Sequence, residues 1–360
     1  MAESKDVTGS PVSAYNEWDP LEEVIVGLVD GAHFPPYDTV TSAPLSVAQR
    51  AVLRAQAGRP FPAAEIAAAR DELEQLVEIL QDAGVRVRRP DPRDHGQSFG
   101  APGWSGTGLY DAMPRDLLLV IGETIIEAPM AWRSRYFASS AFRPLLKEYF
   151  QAGARWTAGP RPELSDELYV EGWTDQPEGE PFRSVITEFE PTFDAADFMR
   201  CGRDIFVQRS HVTNMMGIEW VRREIGDGYQ VHVVELADDH PMHIDASLMP
   251  LAPGKLLIQP DRVVEVPSQF KDWDVRHAPE PVIPDGHPLY FTSKWINMNV
   301  LMLDETHMLV EAQDTPMQEL AESWGITPIP CPFRHFNSFG GSFHCATTDV
   351  RRRGELRSYF

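Results

Sequence analysis

The sequence predicts an α/β fold, and three observations carry that expectation. A helix-like segment followed by a short strand recurs five times. Further strand candidates lie between the recurrences. The length of 360 residues, with 42% hydrophobic and 24% charged content, suits one large soluble α/β architecture. The best helix covers residues 62–83: Ile66, Leu73, Leu76, Val77 and Leu80 recur at helical spacing, Glu and Arg take the other face, and Gly84 is its stop. Val85-Arg86-Val87-Arg88 then alternates like a strand. The figure returns at Gln151-Ala152-Gly153-Ala154-Arg155-Trp156, over residues 227–233, at Trp324-Gly325-Ile326-Thr327-Pro328-Ile329 and, more weakly, over residues 271–279. The other strand candidates are Val24-Ile25-Val26, residues 117–121, Ile205-Phe206-Val207, residues 255–259 and residues 300–303. Their irregular spacing argues against a solenoid. Repeated β–β–α–β units arranged radially would close such a chain into one domain, and an ordinary mixed sheet would also accommodate it. Residues 177–181, rich in proline and acid, read as a surface loop.

Charge narrows the partners. Lys and Arg number 32 against 54 Asp and Glu, a formal net charge of −22. Such a surface repels nucleic acid and anionic lipid and can attract cationic small molecules. No apolar run is long enough to span a bilayer, and residues 1–12 have neither a secretory nor a transit signature. Cys201, Cys331 and Cys345 form an odd set without a CxxC pair, which reads as free thiols in a reducing compartment.

Four stretches bear chemistry. The first is Gly340-Gly341-Ser342-Phe343-His344-Cys345, followed by Arg351-Arg352-Arg353. A diglycine lets the backbone come close to a ligand, and a cationic neighbourhood would favour the nucleophilic thiolate. The second is Pro241-Met242-His243-Ile244-Asp245-Ala246. On a strand, His243 and Asp245 would share a face, with the histidine as proton shuttle. His232 and His240 make a metal conceivable, but neither HExxH nor a cysteine pair supports one. The third is Phe193-Asp194-Ala195-Ala196-Asp197-Phe198, whose carboxylates among aromatics need partners if buried. Tyr110-Asp111-Ala112-Met113-Pro114-Arg115-Asp116, at a strand mouth, could add a further carboxylate to a pocket. A Cys-His-Asp set implies covalent catalysis, and a cysteine hydrolase would use the same residue types.

Taken together, these blocks resemble the L-arginine amidinotransferases, most closely the glycine amidinotransferases and also the bacterial inosamine-phosphate and lysine enzymes. The resemblance runs from Asn16-Glu17-Trp18-Asp19-Pro20-Leu21 to the C-terminus and includes Glu127-Ala128-Pro129-Met130-Ala131-Trp132-Arg133-Ser134-Arg135. It implies a five-bladed α/β propeller, the pentein architecture, of pseudo-fivefold ββαβ modules. It also implies a single catalytic domain over residues 16–360 after a flexible segment 1–15. Cys345 carries over as nucleophile, His243 as general acid/base and Asp194 as its carboxylate partner. Asp116 and Asp245 match the guanidinium-holding positions, Arg262 the substrate-carboxylate arginine, and Ser293 and Tyr110 further substrate contacts. Met242 is the residue retained for a small acceptor, while His240 replaces an asparagine ahead of it. The implied reaction moves the amidino group of L-arginine to an amine, glycine being the first acceptor expected. Lysine, another ω-amino acid, an aminocyclitol or hydrolysis by water are the alternatives. No metal or organic cofactor is implied. A homodimer is the commonest expectation, and the lack of a mitochondrial leader fits a cytoplasmic enzyme.

Overall fold

The computed structural model describes residues 9–177, 180–238 and 240–360. Its unit is a hairpin, a helical return and a third strand laid parallel. Leu118–Ile121 and Thr124–Glu127 pair antiparallel across the turn at Gly122-Glu123. Helix Arg143–Gln151 reverses the chain, and Arg155–Ala158 pairs parallel with Thr124–Glu127. The same plan recurs in Phe198–Cys201, Asp204–Gln208, helix Met215–Ile225 and Gln230–Val234. It recurs again in Leu301–Asp304, His307–Glu311, helix Thr315–Ser323 and Thr327–Cys331. In the unit Leu248–Ala252, Lys255–Ile258, Asp274–His277, the 3₁₀ helix Ser268–Asp272 makes the return, which explains the weaker sequence pattern there.

The fifth sheet is assembled from both ends. Leu21–Val26 lies between Arg86–Arg88, its parallel partner, and Thr347–Arg352, its antiparallel partner. Helices Val47–Gln56 and Ala63–Asp82 fill the crossover between the first two strands. Ala63–Asp82 buries Ala69, Leu73, Leu76 and Leu80, matching the apolar stripe read from sequence, and Gly84 follows its end at φ +82°.

All five helix-to-strand units are therefore present, and the five strand candidates are extended. Their hairpin mates were not legible. Phe198–Cys201 and Leu248–Ala252 are buried at every residue, so they show no alternation to read. Of the segment 1–15 expected to be flexible, residues 9–15 are described. Residues 1–8 lie outside the described residues, but Val12 and Ala14 are fully buried, Ser13 bridges to Arg351 and Ala14 to Gly122. These bridges tie the segment to two of the sheets. The expected loop at 177–181 includes 178 and 179, which lie outside the described residues. Among the described residues no helix is long and apolar enough to cross a membrane.

Candidate active site

One local device positions the site. Immediately before the first strand of each hairpin the chain makes a single tight turn, and each turn presents chemistry. Asp116 lies on the one-turn helix Pro114–Leu117, and Asp194 caps the 3₁₀ turn Ala195–Asp197. His243 and Asp245 flank the start of Ile244–Ala246, Ser293 caps Lys294–Met298, and Cys345 precedes Thr347–Arg352. The turns touch in order: Pro114–Leu117 packs on Ala195–Asp197, that turn on Ile244–Ala246, and that on Lys294–Met298, while Pro114–Leu117 also meets Thr347–Arg352. Residues far apart in sequence converge because every module delivers its turn to the same place.

His243 and Asp245 consequently do not share a strand face. His243 has φ +68°, a left-handed conformation uncommon outside glycine. Its backbone N–H donates to Asp197 Oδ1 at 3.0 Å. Asp197 also accepts from Gln208, Ser210 and Thr213. The strain is thus held by a buried carboxylate anchored on three side chains.

The imidazole of His243 lies 3.0 Å through Nε2 from Asp194 Oδ2, and its Nδ1 is 3.6 Å from Asp116 Oδ1. Ligand atoms of Asp116, His243 and Cys345 all fall within 4.8 Å of one another. Asp116 Oδ2 is held by Arg135 Nη1 at 2.6 Å. Asp245 Oδ2 accepts from Asn299 Nδ2 at 2.6 Å and lies 2.7 Å from His344 Nδ1. Asn299 Nδ2 is also 3.2 Å from Cys345 Sγ, and its Oδ1 accepts the backbone N–H groups of Ser342 and Cys345. The diglycine is required by space: a Cβ on Gly341 would sit 2.5 Å from Met113 Sδ and 2.7 Å from Cys345 Cβ.

The charges oppose the first expectation for the thiol. Burial, with Asp245 and Asp116 nearby, pushes the Cys345 thiol up to about 12 despite its hydrogen bond with His243. The arginine run gives it no help. Arg351 pairs with Glu22, Arg352 is buried on Asp349, and Arg353 faces Glu22. Burial disfavours a charged His243, yet Asp116, Asp194 and the Cys345 contact raise it well above its ordinary value. Burial raises Asp194. Asp245 is buried too, but the His344 hydrogen bond and charge hold it below the usual range. Both directions favour an imidazolium beside a neutral thiol. Iodoacetamide should alkylate Cys345 slowly near pH 7, the rate rising about tenfold per pH unit, because only thiolate reacts. A plateau below about pH 8 would contradict this charge state.

Around these groups is a cavity of about 140 Å³, lined among others by Asp238, His240, Met242, Arg262, Ser293 and Cys345. A smaller chamber of about 20 Å³ adjoins it at Met242 and His243 and is lined by Tyr110, Asp116, Arg135 and Asp194. Asp116 Oδ1 and Asp194 Oδ1 are buried there without a hydrogen-bond partner. Tyr110 donates its hydroxyl to Phe339 O at 2.9 Å, so it contributes its ring to the wall. Arg262 donates to Ala246 O and Ser293 Oγ, and His240 Nδ1 lies 3.1 Å from Ala43 O. Every residue expected at the site is brought together. His232, considered for a metal, instead pairs with Asp204 within the sheet.

Several site residues had no sequence signal of their own. Asn299 acts on Cys345, Arg135 on Asp116, Asp197 on His243 and Asp238 on Arg262, each partner lying outside its own turn. Arg135 and Asp197 stand in recognisable blocks, but their roles appear only when the turns meet.

The chain is 59% identical over 350 residues to L-arginine:L-lysine amidinotransferase of Pseudomonas savastanoi pv. phaseolicola, covering 97% of each. It is 49% identical to mitochondrial glycine amidinotransferase of Danio rerio, covering 97% of this chain and 85% of that protein. Among solved structures it is similar to SxtG, an amidinotransferase from Microseira wollei in the saxitoxin biosynthetic pathway. The TM-score there is 0.94 at 50% identity, with 97% of this chain and 100% of that one covered. DDAH from Pseudomonas aeruginosa, at 14% identity and TM-score 0.58 over 91% of this chain and 98% of that one, shares the α/β pentein fold alone. No protein-family model matches the chain. Identity of this depth over nearly the whole length leaves one conclusion: the chain belongs to the L-arginine amidinotransferases, and the enzyme is a transferase.

Proposed function

We propose that the enzyme moves the amidino group of L-arginine, through a covalent bond to Cys345, onto the amine of an amino-acid acceptor, with lysine first and glycine second. The observation that carries this reading is the pair of partnerless buried carboxylate oxygens, on Asp116 and Asp194, beside a cysteine and a histidine. Buried polar atoms are nearly always satisfied, and a planar guanidinium with five N–H donors suits such acceptors.

The steps follow from the charges. The guanidinium neutralises the carboxylates and makes thiol ionisation favourable; the thiol proton leaves to water, and sulfur regains one when the guanidino product departs. The Cys345 thiolate adds to the central carbon while Asp116, Asp194 and Asp245 surround the cation. His243 gives its proton to the departing δ-nitrogen, the C–N bond breaks, and ornithine leaves. The amidino group remains on sulfur. An acceptor amine then loses a proton to His243, attacks the same carbon, and expels the thiolate. Binding both partners in one cleft replaces a rare encounter in water. Arg262 and Ser293 at the outer end are suited to the α-carboxylate. We also infer that the five modules are blades of a five-bladed α/β propeller, supported by the sequential contacts of their entry turns.

Lysine moves ahead of the glycine expected from sequence for two reasons. The relative at 59% identity is named for lysine. Lysine also resembles the ornithine that the site must release, with one more methylene between carboxylate and reacting amine. Arginine supplied with a panel of amines, with products read by mass, tests this reading. Ornithine with homoarginine is expected from lysine, at a higher kcat/KM than ornithine with guanidinoacetate from glycine. A higher value for glycine would reverse the order, and citrulline with ammonia as the main products would reject transfer.

A further inference from the structure

We propose that Asp238 recognises the α-ammonium group of the amino-acid substrates, so that the outer end of the cleft reads a zwitterion rather than a carboxylate alone. The inference rests on the amino-acid transfer reading above and adds a residue to it. Asp238 lines the same 140 Å³ cavity as Cys345 and His243. Its Oδ2 is 3.1 Å from Arg262 Nε, and its Oδ1 accepts the His240 backbone N–H at 3.0 Å. Arg262 is fixed on three sides, since Nη1 donates to Ala246 O and Nη2 to Ser293 Oγ, each at 3.2 Å. Each terminal nitrogen carries two hydrogens. One on each therefore remains for a substrate carboxylate, which guanidinium groups bind through paired hydrogen bonds.

An α-amino acid carries its ammonium on the carbon next to that carboxylate. A substrate seated on Arg262 must then place a cation within a few ångströms of another cation. Without an anion beside Arg262 that arrangement would be repulsive. The cavity is lined by two carboxylates, Asp238 and Asp245. Asp245 is engaged by His344 and Asn299 and stands 3.8 Å from Cys345 Sγ, at the reacting end. Asp238 is the carboxylate at the Arg262 end. It spends one contact on each oxygen, leaving acceptor capacity on both. Its side chain is 12% exposed, so an ion pair formed there is largely shielded from water.

The alternative is that Asp238 merely orients Arg262. The two roles separate with 5-guanidinopentanoate, which is arginine without the α-ammonium. A charged hydrogen bond of this kind corresponds to roughly 10–100-fold in kcat/KM. The unaltered enzyme should prefer arginine over 5-guanidinopentanoate by that factor. Asp238→Asn should lose most of that factor with arginine and stay within about twofold with the analogue, erasing the preference. Equal losses on both donors would show an orienting role and overturn the proposal, as would an unaltered enzyme indifferent to the α-ammonium. The lysine analogue 6-aminohexanoate gives the same comparison on the acceptor side. Iodoacetamide labelling of Cys345 and the thermal midpoint of Asp238→Asn, both expected unchanged, report whether the variant is folded. Failure of the transfer reading itself would appear separately, as no ornithine from arginine and lysine with the unaltered enzyme.

Discussion

Replacing Cys345 with alanine is expected to stop ornithine release while leaving arginine binding in place. In the proposed mechanism the thiolate forms the bond that carries the amidino group, and no neighbouring side chain substitutes for it. Removal of a nucleophile from a comparable catalytic unit costs on the order of 10⁶ in kcat. Binding draws on groups the substitution leaves untouched: Asp116 braced by Arg135, Asp245 braced by Asn299 and His344, and Arg262 braced by Ser293. Isothermal titration of arginine into Cys345→Ala should show saturable heat with no ornithine formed. The unaltered enzyme given arginine alone should release about one ornithine per site in a burst and gain the mass of one amidino group on the Cys345 peptide. His243→Asn should cost less, roughly 10²–10⁴-fold, as expected for loss of a general acid and base. Sustained turnover by Cys345→Ala would remove the cysteine from the mechanism altogether.

The second large effect is on stability. Beneath the site, Asp349 accepts from Arg115 at 2.7 Å, Arg200 at 2.6 Å and Arg352 at 2.8 Å, and is itself fully buried. Glu17 shares Arg200, lies 3.5 Å from Arg115, and is 3.2 Å from His344 Nε2. Through His344 this network reaches Asp245 and the nucleophile. Burial alone would raise both carboxyls. The arginines win, and Glu17 and Asp349 are held well below their ordinary values. Asp349→Ala leaves three guanidinium groups short of a buried partner, a loss of about 3–5 kcal/mol. That is a large share of the roughly 5–15 kcal/mol that separates a folded protein from its unfolded chain. Urea unfolding at neutral pH should show the loss as a lowered midpoint, and a difference under about 1 kcal/mol would contradict it.

The pH sign is fixed by the same shifts. Folded-state pKa values below the unfolded ones mean that the stabilisation is complete above the unfolded range, near pH 4. It is lost as pH falls through the folded values. The gap between the original protein and Asp349→Ala should therefore be constant near neutrality and close in strong acid.

The sequence was most readable where structure is local. The helix at 62–83 and the short strands behind each helix are set by spacing and glycine stops, and they appear where spacing puts them. The ordered blocks around Asp194, His243 and Cys345, read through a resemblance that spans the chain, named residues that the fold brings together. What could not be read depends on distant meetings. Asn299 is an asparagine ahead of a strand until Ser342 and Cys345 fold onto its carbonyl oxygen. The arginine run looked like support for a thiolate, but Arg352 turns into the core and the thiol faces carboxylates instead. His243 and Asp245 looked like strand neighbours because alternate spacing carries no information about a single turn with positive φ.

The split sheet has a consequence for how the enzyme comes into being. Leu21–Val26 is among the first strands made, and its antiparallel partner Thr347–Arg352 is separated from it by more than three hundred residues of chain. Contacts so remote in sequence form late and slowly. Cys345 stands two residues ahead of that strand, so the acidic chamber is a half-built surface until the strand pairs. The pairing that completes this sheet is therefore also the one that brings the sulfur into its chamber.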